Sequence, residues 1–318
     1  MEPSSKTYTI DIRRLRVLRE LRERGTVGAT ACALNLTASA ISQQIAALSR
    51  EAGVPLLATH GRGVRLTPQA TLLLEHSAII EAQLERARAD LAAFDEGVVG
   101  HVTIGAFATA ITGIVAPALQ LLRRERPRLR VTVLEIEAPE VFTRLDAGDL
   151  DVAVTVDYHN GPDRTDPRFA RKDLLTDPLV AALAEDHPLA GQGSIDLKAL
   201  AEEPWIVGAL RGPCQEVGLA ACTSAGFSPE IQHRANDWAA VFALVAAGCG
   251  VALVPRMAVA NGLPPGVALR ELRGIESPSR HIYAAIRAGS ESYPSLVPVL
   301  AALQTVTPLF GSLTATTG

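Results

Sequence analysis

Residues Thr26 to Leu66 constrain this chain more than any other stretch. Within it, the run Leu36-Thr37-Ala38-Ser39-Ala40-Ile41-Ser42-Gln43-Gln44-Ile45 has two unlike faces. Ile41, Ile45 and Leu48 fall at i, i+4 and i+7 and so share one apolar side of a helix. The opposite side carries Ala38, Ser39, Ser42, Gln43 and Ala46, which are small or polar and uncharged. An ordinary solvated helix has no need of such a face. A helix that enters a DNA major groove does, because short side chains permit close approach while Ser and Gln donate to and accept from base edges. The Ala-rich segment Val27 to Leu34 precedes it as a short helix, Asn35-Leu36-Thr37 turns the chain, and Thr37 is the expected N-cap. Two helices joined by a turn of about three residues make a helix-turn-helix.

The flanks extend this reading. Ile12, Leu15, Leu18 and Leu21 recur at helical spacing, which predicts a first helix over residues 11–23 with its arginines outside. Beyond the two-faced helix, Gly61 and Gly63 bracket a hairpin tip that projects Arg62. Arg62 is either a solvated turn arginine or, directly after a helix-turn-helix, a wing residue on phosphate or in the minor groove, with Arg65 on the backbone. Thr67-Pro68 then opens a long helix with no glycine before Gly97. Leu73, Ile80, Ala87 and Phe94 repeat every seven residues with Ser77, Leu84 and Leu91 between them, an a/d seam of about three heptads. The seam serves either packing within its own domain or pairing with a second copy, and pairing is the favoured reading because a twofold operator presents two half-sites.

Charge divides the chain in the same place. Residues 1–66 hold ten Lys/Arg against five Asp/Glu, whereas the remaining 252 residues hold 20 against 29, although the whole carries only -4. A basic module on an acidic body suggests that one part meets phosphate and the other does not. At 318 residues with 48% hydrophobic content, about two domains with real cores are expected. The start of the chain lacks the apolar stretch of a secretory signal. The longest apolar run, Ala239 to Val254, is interrupted by Gly248 and Gly250 and is short for a bilayer span. A cytosolic protein without membrane association is therefore expected, its four cysteines (Cys32, Cys214, Cys222, Cys249) reduced. None forms a C-x-x-C pair, so a zinc site is not expected, and no metal ligand or cofactor is assigned.

From His101 onward strands and helices alternate. Strands are expected at Val102–Ile104, Arg130–Glu135, Val152–Thr155, Leu179–Ala184, Trp205–Val207, Val251–Val254 and Ile282–Ile286. Helices are expected at Val115–Arg124, Val141–Ala147, Glu216–Ala225, Trp238–Ala247 and Leu296–Thr305. That order implies parallel strands with crossover helices. The rival class is an enzyme or solute binder, but there is no G-x-x-x-x-G-K-[ST], G-x-S-x-G or H-E-x-x-H, so no catalytic residues are assigned.

With these residues in view the chain resembles the LysR-type transcriptional regulators over essentially its full length. The likeness rests on Leu15 through Pro68, above all Ala38–Ile45, Gly53-Val54-Pro55-Leu56-Leu57 and Gly61–Thr67. It rests also on Gly148-Asp149-Leu150-Asp151-Val152-Ala153-Val154, Asp186-His187-Pro188-Leu189 and Val245–Pro255. The resemblance implies an α+β multidomain chain: a winged helix-turn-helix over residues 1–66, a dimerising linker helix over 67–96, and an effector domain over 97–318. That last domain would have two α/β lobes like those of type 2 periplasmic binding proteins, lobe I comprising 97–177 and 275–318 and lobe II 178–274. Such regulators bind double-stranded DNA and a small molecule in the cleft, often as dimers of dimers, and RNA polymerase is a further partner to consider. Many members begin the recognition helix with Gln-Pro where this chain has Ala38-Ser39, and carry arginine where it has Gln43. A bidentate contact to guanine is thereby lost, and Gln43 favours adenine. Together these observations assign DNA contacts to Thr37, Ala38, Ser39, Ser42, Gln43, Arg62 and Arg65.

The resemblance also nominates effector contacts at Phe107, Thr109, Pro139, Thr155, Arg211, Cys214, Asp237 and Trp238. Thr109 either stands where backbone N–H groups receive a carboxylate or is merely an N-cap. Phe107 fills a slot often small and polar, which argues for an apolar ligand or a partly filled cleft. Arg211 either pairs an anionic effector or is solvated, Asp237 either lines the cleft or caps a helix, and Trp238 is core or ligand wall. Peroxide-sensing members of the family carry two cysteines in this lobe, so Cys214 and Cys222 raise a thiol-based, redox-responsive subtype as a minor alternative. On a continuous helix their eight-residue separation means about 12 Å, beyond disulfide reach. The simpler reading packs Cys222 on an apolar helix face and leaves Cys214 in a loop.

Overall fold

The computed structural model describes residues 10–60, 63–92, 100–159, 161–208, 212–273 and 277–307. The expectations for Gly61, Arg62, Phe94 and Arg211 lie outside these residues. The chain forms two compact units, residues 1–84 and 85–318.

In the first unit α1 (Ile12–Arg24) begins where the Asp11 side chain accepts from the Arg13 N–H and ends at Gly25, whose φ of 72° suits a residue without Cβ. Thr26 caps α2 (Val27–Ala33) by accepting from the Ala29 N–H at 3.2 Å. Thr37 caps α3 (Ala38–Ala52) by accepting from the Ala40 N–H at 3.1 Å. The turn between them passes through Asn35 at φ 52°, a left-handed conformation that Asn tolerates better than most residues. The hairpin β1 (Leu57–His60) and β2 (Gly63–Leu66) follows, antiparallel with Leu57 opposite Leu66. Leu15, Leu18, Leu21, Ile41, Ile45, Leu48 and Leu56 close the core together with Ala70 and Leu74 of the long helix α4 (Pro68–Ala92).

That last contact corrects the seam. Ser77, expected between heptad leucines, is 2% exposed, and Leu73 packs against the core of the module. Positions 70, 74, 77 and 78 form a stripe turned toward the module's own core, and the apolar residues left in water are Leu72, Ile79, Ile80, Leu84 and Leu91. The helix thus carries two apolar stripes, which a single heptad count merges.

In the second unit the elements run β3 (Gly100–Ala106), α5 (Ala108–Ala110), a π-helical turn Ile111–Val115, α6 (Ala116–Glu125), β4 (Leu129–Glu135), α7 (Glu140–Ala147) and β5 (Val152–Val156). Then come β6 (Phe169–Ala184), β7 (Ser194–Asp196), β8 (Pro204–Val207), α8 (Pro213–Ser224), β9 (Glu230–Arg234), α9 (Trp238–Ala246), β10 (Ala252–Pro255), β11 (Val267–Arg273), β12 (Ser279–Arg287) and α10 (Leu296–Val306). Among the described residues, eight strands join one sheet in the order β4-β3-β5-β12-β6-β11-β7, with β10 also on β6, and β8 pairs with β9 separately.

The expected parallel grammar holds for β4, β3 and β5, and again for β8 with β9. It fails in the middle, where β12 runs antiparallel to both β5 and β6, and β6 antiparallel to β10 and β11. The cause is β6 itself. The apolar pattern places its start at Leu179, but the strand is continuous from Phe169, so it serves both lobes. Its first half, Phe169-Ala-Arg-Lys-Asp-Leu-Leu-Thr-Asp, lacks the apolar run that marks its second half, because much of it stays accessible. One core lies under α6 and α10 in lobe I, others under α7, α8 and α9.

Candidate nucleic-acid interface and effector cleft

The α3 face left in water has the composition expected. Ala38, Ser39, Ser42, Gln43 and Ala46 are accessible while Ile41, Ile45 and Leu48 are buried. Ser42 donates back to the Ala38 carbonyl at 3.0 Å, and its hydroxyl oxygen retains lone pairs for a further donor. Gln44 accepts from Arg14 Nε at 3.2 Å, and Arg14 also pairs with Glu51, so the edge of α3 beside Gln43 is tied to α1. Gln43 is exposed and makes no such bond among the described residues. Arg65 is exposed on β2 opposite Ala58.

The second unit brings three of the nominated residues, Phe107, Thr109 and Cys214, together with Glu137, which the resemblance also places at the cleft, and with Arg280 and Asp177, which sequence reading missed. Arg280 and Asp177 face each other in register on β12 and β6, 6% and 3% exposed. Arg280 Nη2 donates to Asp177 Oδ2 at 2.5 Å and to Thr109 Oγ1 at 3.1 Å, and its guanidinium lies 5.0 Å over the Phe107 ring. The other carboxylate oxygen of Asp177 accepts from the Met257 N–H at 3.0 Å. Cys214 and Glu137 stand within electrostatic reach of Arg280. Burial pushes the Cys214 thiol upward against the pull of Arg280, with Asp177 and Glu137 adding to the rise. Glu137 keeps solvent contact, and partial desolvation raises its carboxyl against the pull of Arg280, with Glu135 adding to the rise.

Several nominated residues take other roles. Phe107, not Thr109, occupies the N-cap of α5, so Thr109 is an acceptor for Arg280 and not a cap. Phe107 is 4% exposed and packs into the lobe I core, leaving little of its ring for a ligand. Thr155 is 2% exposed within β5. Pro139 remains accessible at the start of α7. Asp237 caps α9 by accepting from the Ala240 N–H at 2.9 Å, and Trp238 packs partly buried against the lobe II core. Cys214 is not in a loop: it stands in the first turn of α8, the same unbroken helix that buries Cys222 completely and pushes its thiol up to about 11. The four cysteines are free thiols.

Asp177 and Arg280 were legible only as charges at the ends of apolar runs; nothing in the sequence says that they pair across 103 positions. Among the described residues no cluster of His, Cys, Asp and Glu could hold a metal ion, and no helix is long and apolar enough to cross a membrane.

Both parts of the chain match known families. Residues 12–71 match the family described as "Bacterial regulatory helix-turn-helix protein, lysR family", and residues 95–307 the one described as "LysR substrate binding domain". Among curated proteins the chain is 28% identical over 251 residues to the HTH-type transcriptional regulator AlsR of Bacillus subtilis, covering 78% of this chain and 82% of that one. It is 29% identical over 308 residues to a probable hydrogen peroxide-inducible genes activator of Mycobacterium avium, covering 94% and 96%. Among solved structures, an OxyR mutant from Corynebacterium glutamicum superposes with a TM-score of 0.62 at 24% identity, covering 98% of this chain and 96% of that one, a likeness of fold.

Proposed function

This chain belongs to the LysR family of transcriptional regulators, and from that premise we propose how it reads DNA and where it senses its effector. Ser42 and Gln43 read base edges from the exposed face of α3, Ala38 and Ser39 permit close approach, the Thr37 end of the helix meets the backbone, and Arg65 with Arg62 grips phosphate. The observation that carries this reading is the free Gln43 amide on an uncharged exposed face whose neighbour Gln44 is already bonded to Arg14. Gln43→Ala is expected to relax preference at one base position per half-site, measured by competition binding to operators substituted base by base. Uniform weakening across all sequences would remove Gln43 from base readout.

The protein acts as a dimer, and as a dimer of dimers on DNA, through the Leu72, Ile79, Ile80, Leu84 and Leu91 stripe of α4, in the cytoplasm and without chemistry of its own. Residues 1–66, 67–96 and 97–318 serve as reader, linker and sensor. RNA polymerase is a further partner at promoters. The effector binds against Arg280, Thr109, Cys214, Glu137 and Pro139. An anionic effector has to compete with Asp177 for Arg280, so a small polar molecule that adds hydrogen bonds without displacing the pair fits the charges better. Stabilisation of the second unit by a panel of small metabolites, lost in Thr109→Val, tests the cleft.

A second reading, thiol sensing, draws on the hydrogen peroxide-inducible relative and on the placement of Cys214 beside Arg280. The upward-shifted thiols and the intact helix between Cys214 and Cys222 weigh against it. Peroxide treatment followed by alkylation discriminates: both thiols still alkylated removes the redox reading.

A further inference from the structure

We propose that the partly buried ion pair Arg19–Glu81 is a positioning device that fixes the reading head on α4 and so sets which half-site spacing the protein accepts. Arg19 on α1 donates from Nη1 to Glu81 Oε2 on α4 at 2.5 Å. The Arg19 side chain is 6% exposed and that of Glu81 26%. Ser77, 2% exposed and one turn earlier on α4, donates to Glu81 Oε1 at 3.3 Å, so both carboxylate oxygens are held. The pair joins elements 62 residues apart.

Stability alone is a poor reason for it. Taking two charges out of water costs about what their attraction returns, and apolar residues of similar volume serve a core as well or better. The rest of this stripe, Ala70, Leu74 and Ala78, is held by apolar burial, which is non-directional. A charge-assisted hydrogen bond with a second donor on the same carboxylate has direction, and it holds one angle. Angle matters here because the exposed stripe of α4 is where two copies meet, so α4 is the reference from which each head reaches its half-site. A module of about 60 residues has a radius of gyration of ~10 Å and is ~25 Å across. A tilt of ~10° at one edge moves the other by ~4 Å, about one base-pair step of ~3.4 Å.

The inference rests on the reading that two heads bind together, and the test separates the two. The full-length protein and the variant Arg19→Met/Glu81→Leu are titrated on duplexes carrying two copies of its half-site with separation changed one base pair at a time, and on a duplex with one half-site. The unmodified protein is expected to lose affinity by about tenfold or more when the separation departs from its optimum by two or three base pairs. The variant is expected to keep its single half-site affinity and to show a flattened spacing profile, with Glu81→Gln, which retains an acceptor for Arg19, between the two. A variant with the parental profile overturns the proposal, and so does a double variant that fails to fold by circular dichroism, since the pair would then serve stability. An unmodified protein indifferent to spacing overturns the paired-head reading itself.

Discussion

Replacing Asp177 by alanine is expected to destabilise the second unit far more than a typical point substitution, and the size of the effect follows from what the carboxylate does. One oxygen holds Arg280, itself 6% exposed, and the other holds the Met257 N–H. Asp177→Ala leaves a guanidinium in the interior without its counter-charge, a loss of ~3–5 kcal/mol where a buried pair is broken from one side. At about 2–4 °C per kcal/mol for a domain of this size, the midpoint of thermal unfolding falls by roughly 6–20 °C. Both tryptophans of the chain, Trp205 and Trp238, belong to the 85–318 unit, so intrinsic fluorescence follows this unfolding without interference from the DNA-binding module. Removing both charges together, as Asp177→Ala/Arg280→Met, leaves no orphaned charge and is expected to cost clearly less than the sum of the single changes. A single-variant cost below about 1 kcal/mol, or strict additivity in the double variant, would refute the argument, because both follow only if Arg280 is already well solvated.

Cys222 gives a pH dependence with a defined sign. Its thiol, ordinarily near 9, is pushed up to about 11 by burial, so the folded chain holds a proton that the unfolded chain has released. The stability this confers is whole below about pH 9 and declines by ~2–3 kcal/mol as pH rises toward about 11; urea unfolding at stepped pH should show a shallower alkaline decline in Cys222→Ala than in the unmodified protein. Gly250 has φ 152°, and a Cβ there would lie 2.4 Å from the Pro204 carbonyl oxygen. Gly250→Ala is accordingly expected to lose ~3 kcal/mol or more, read as a drop in the Trp205 fluorescence midpoint. Thr37→Ala removes the cap of α3 and is expected to cost about 1 kcal/mol, checked by urea unfolding of the first unit followed by far-ultraviolet dichroism.

How much of the fold was legible in the sequence follows the range of the interactions involved. The helix-turn-helix was readable because it is built from local rules: apolar residues at i, i+4 and i+7, Thr caps three residues ahead of the N–H they accept from, and an Asn able to turn the chain left-handed. The uncharged face of α3 is likewise written in consecutive residues. The α4 seam was only half legible. Periodicity identified a helix with apolar residues to spare but could not tell which stripe faces its own module, and the burial of Ser77 answers that.

The sensor unit marks the other limit. Alternation of strands and helices indicated an α/β body, yet strand direction is a tertiary matter, and the first half of β6 carries no apolar run to announce it. Arg280 and Asp177 come from strands far apart in the chain, and only the sheet register brings their side chains together. Thus the sequence alone determined the helix-turn-helix, because its helices are specified by their own spacing and caps. The tertiary structure decided the two ion pairs, because a buried charge is explained by its partner, and both Asp177 for Arg280 and Glu81 for Arg19 are supplied from elsewhere in the chain.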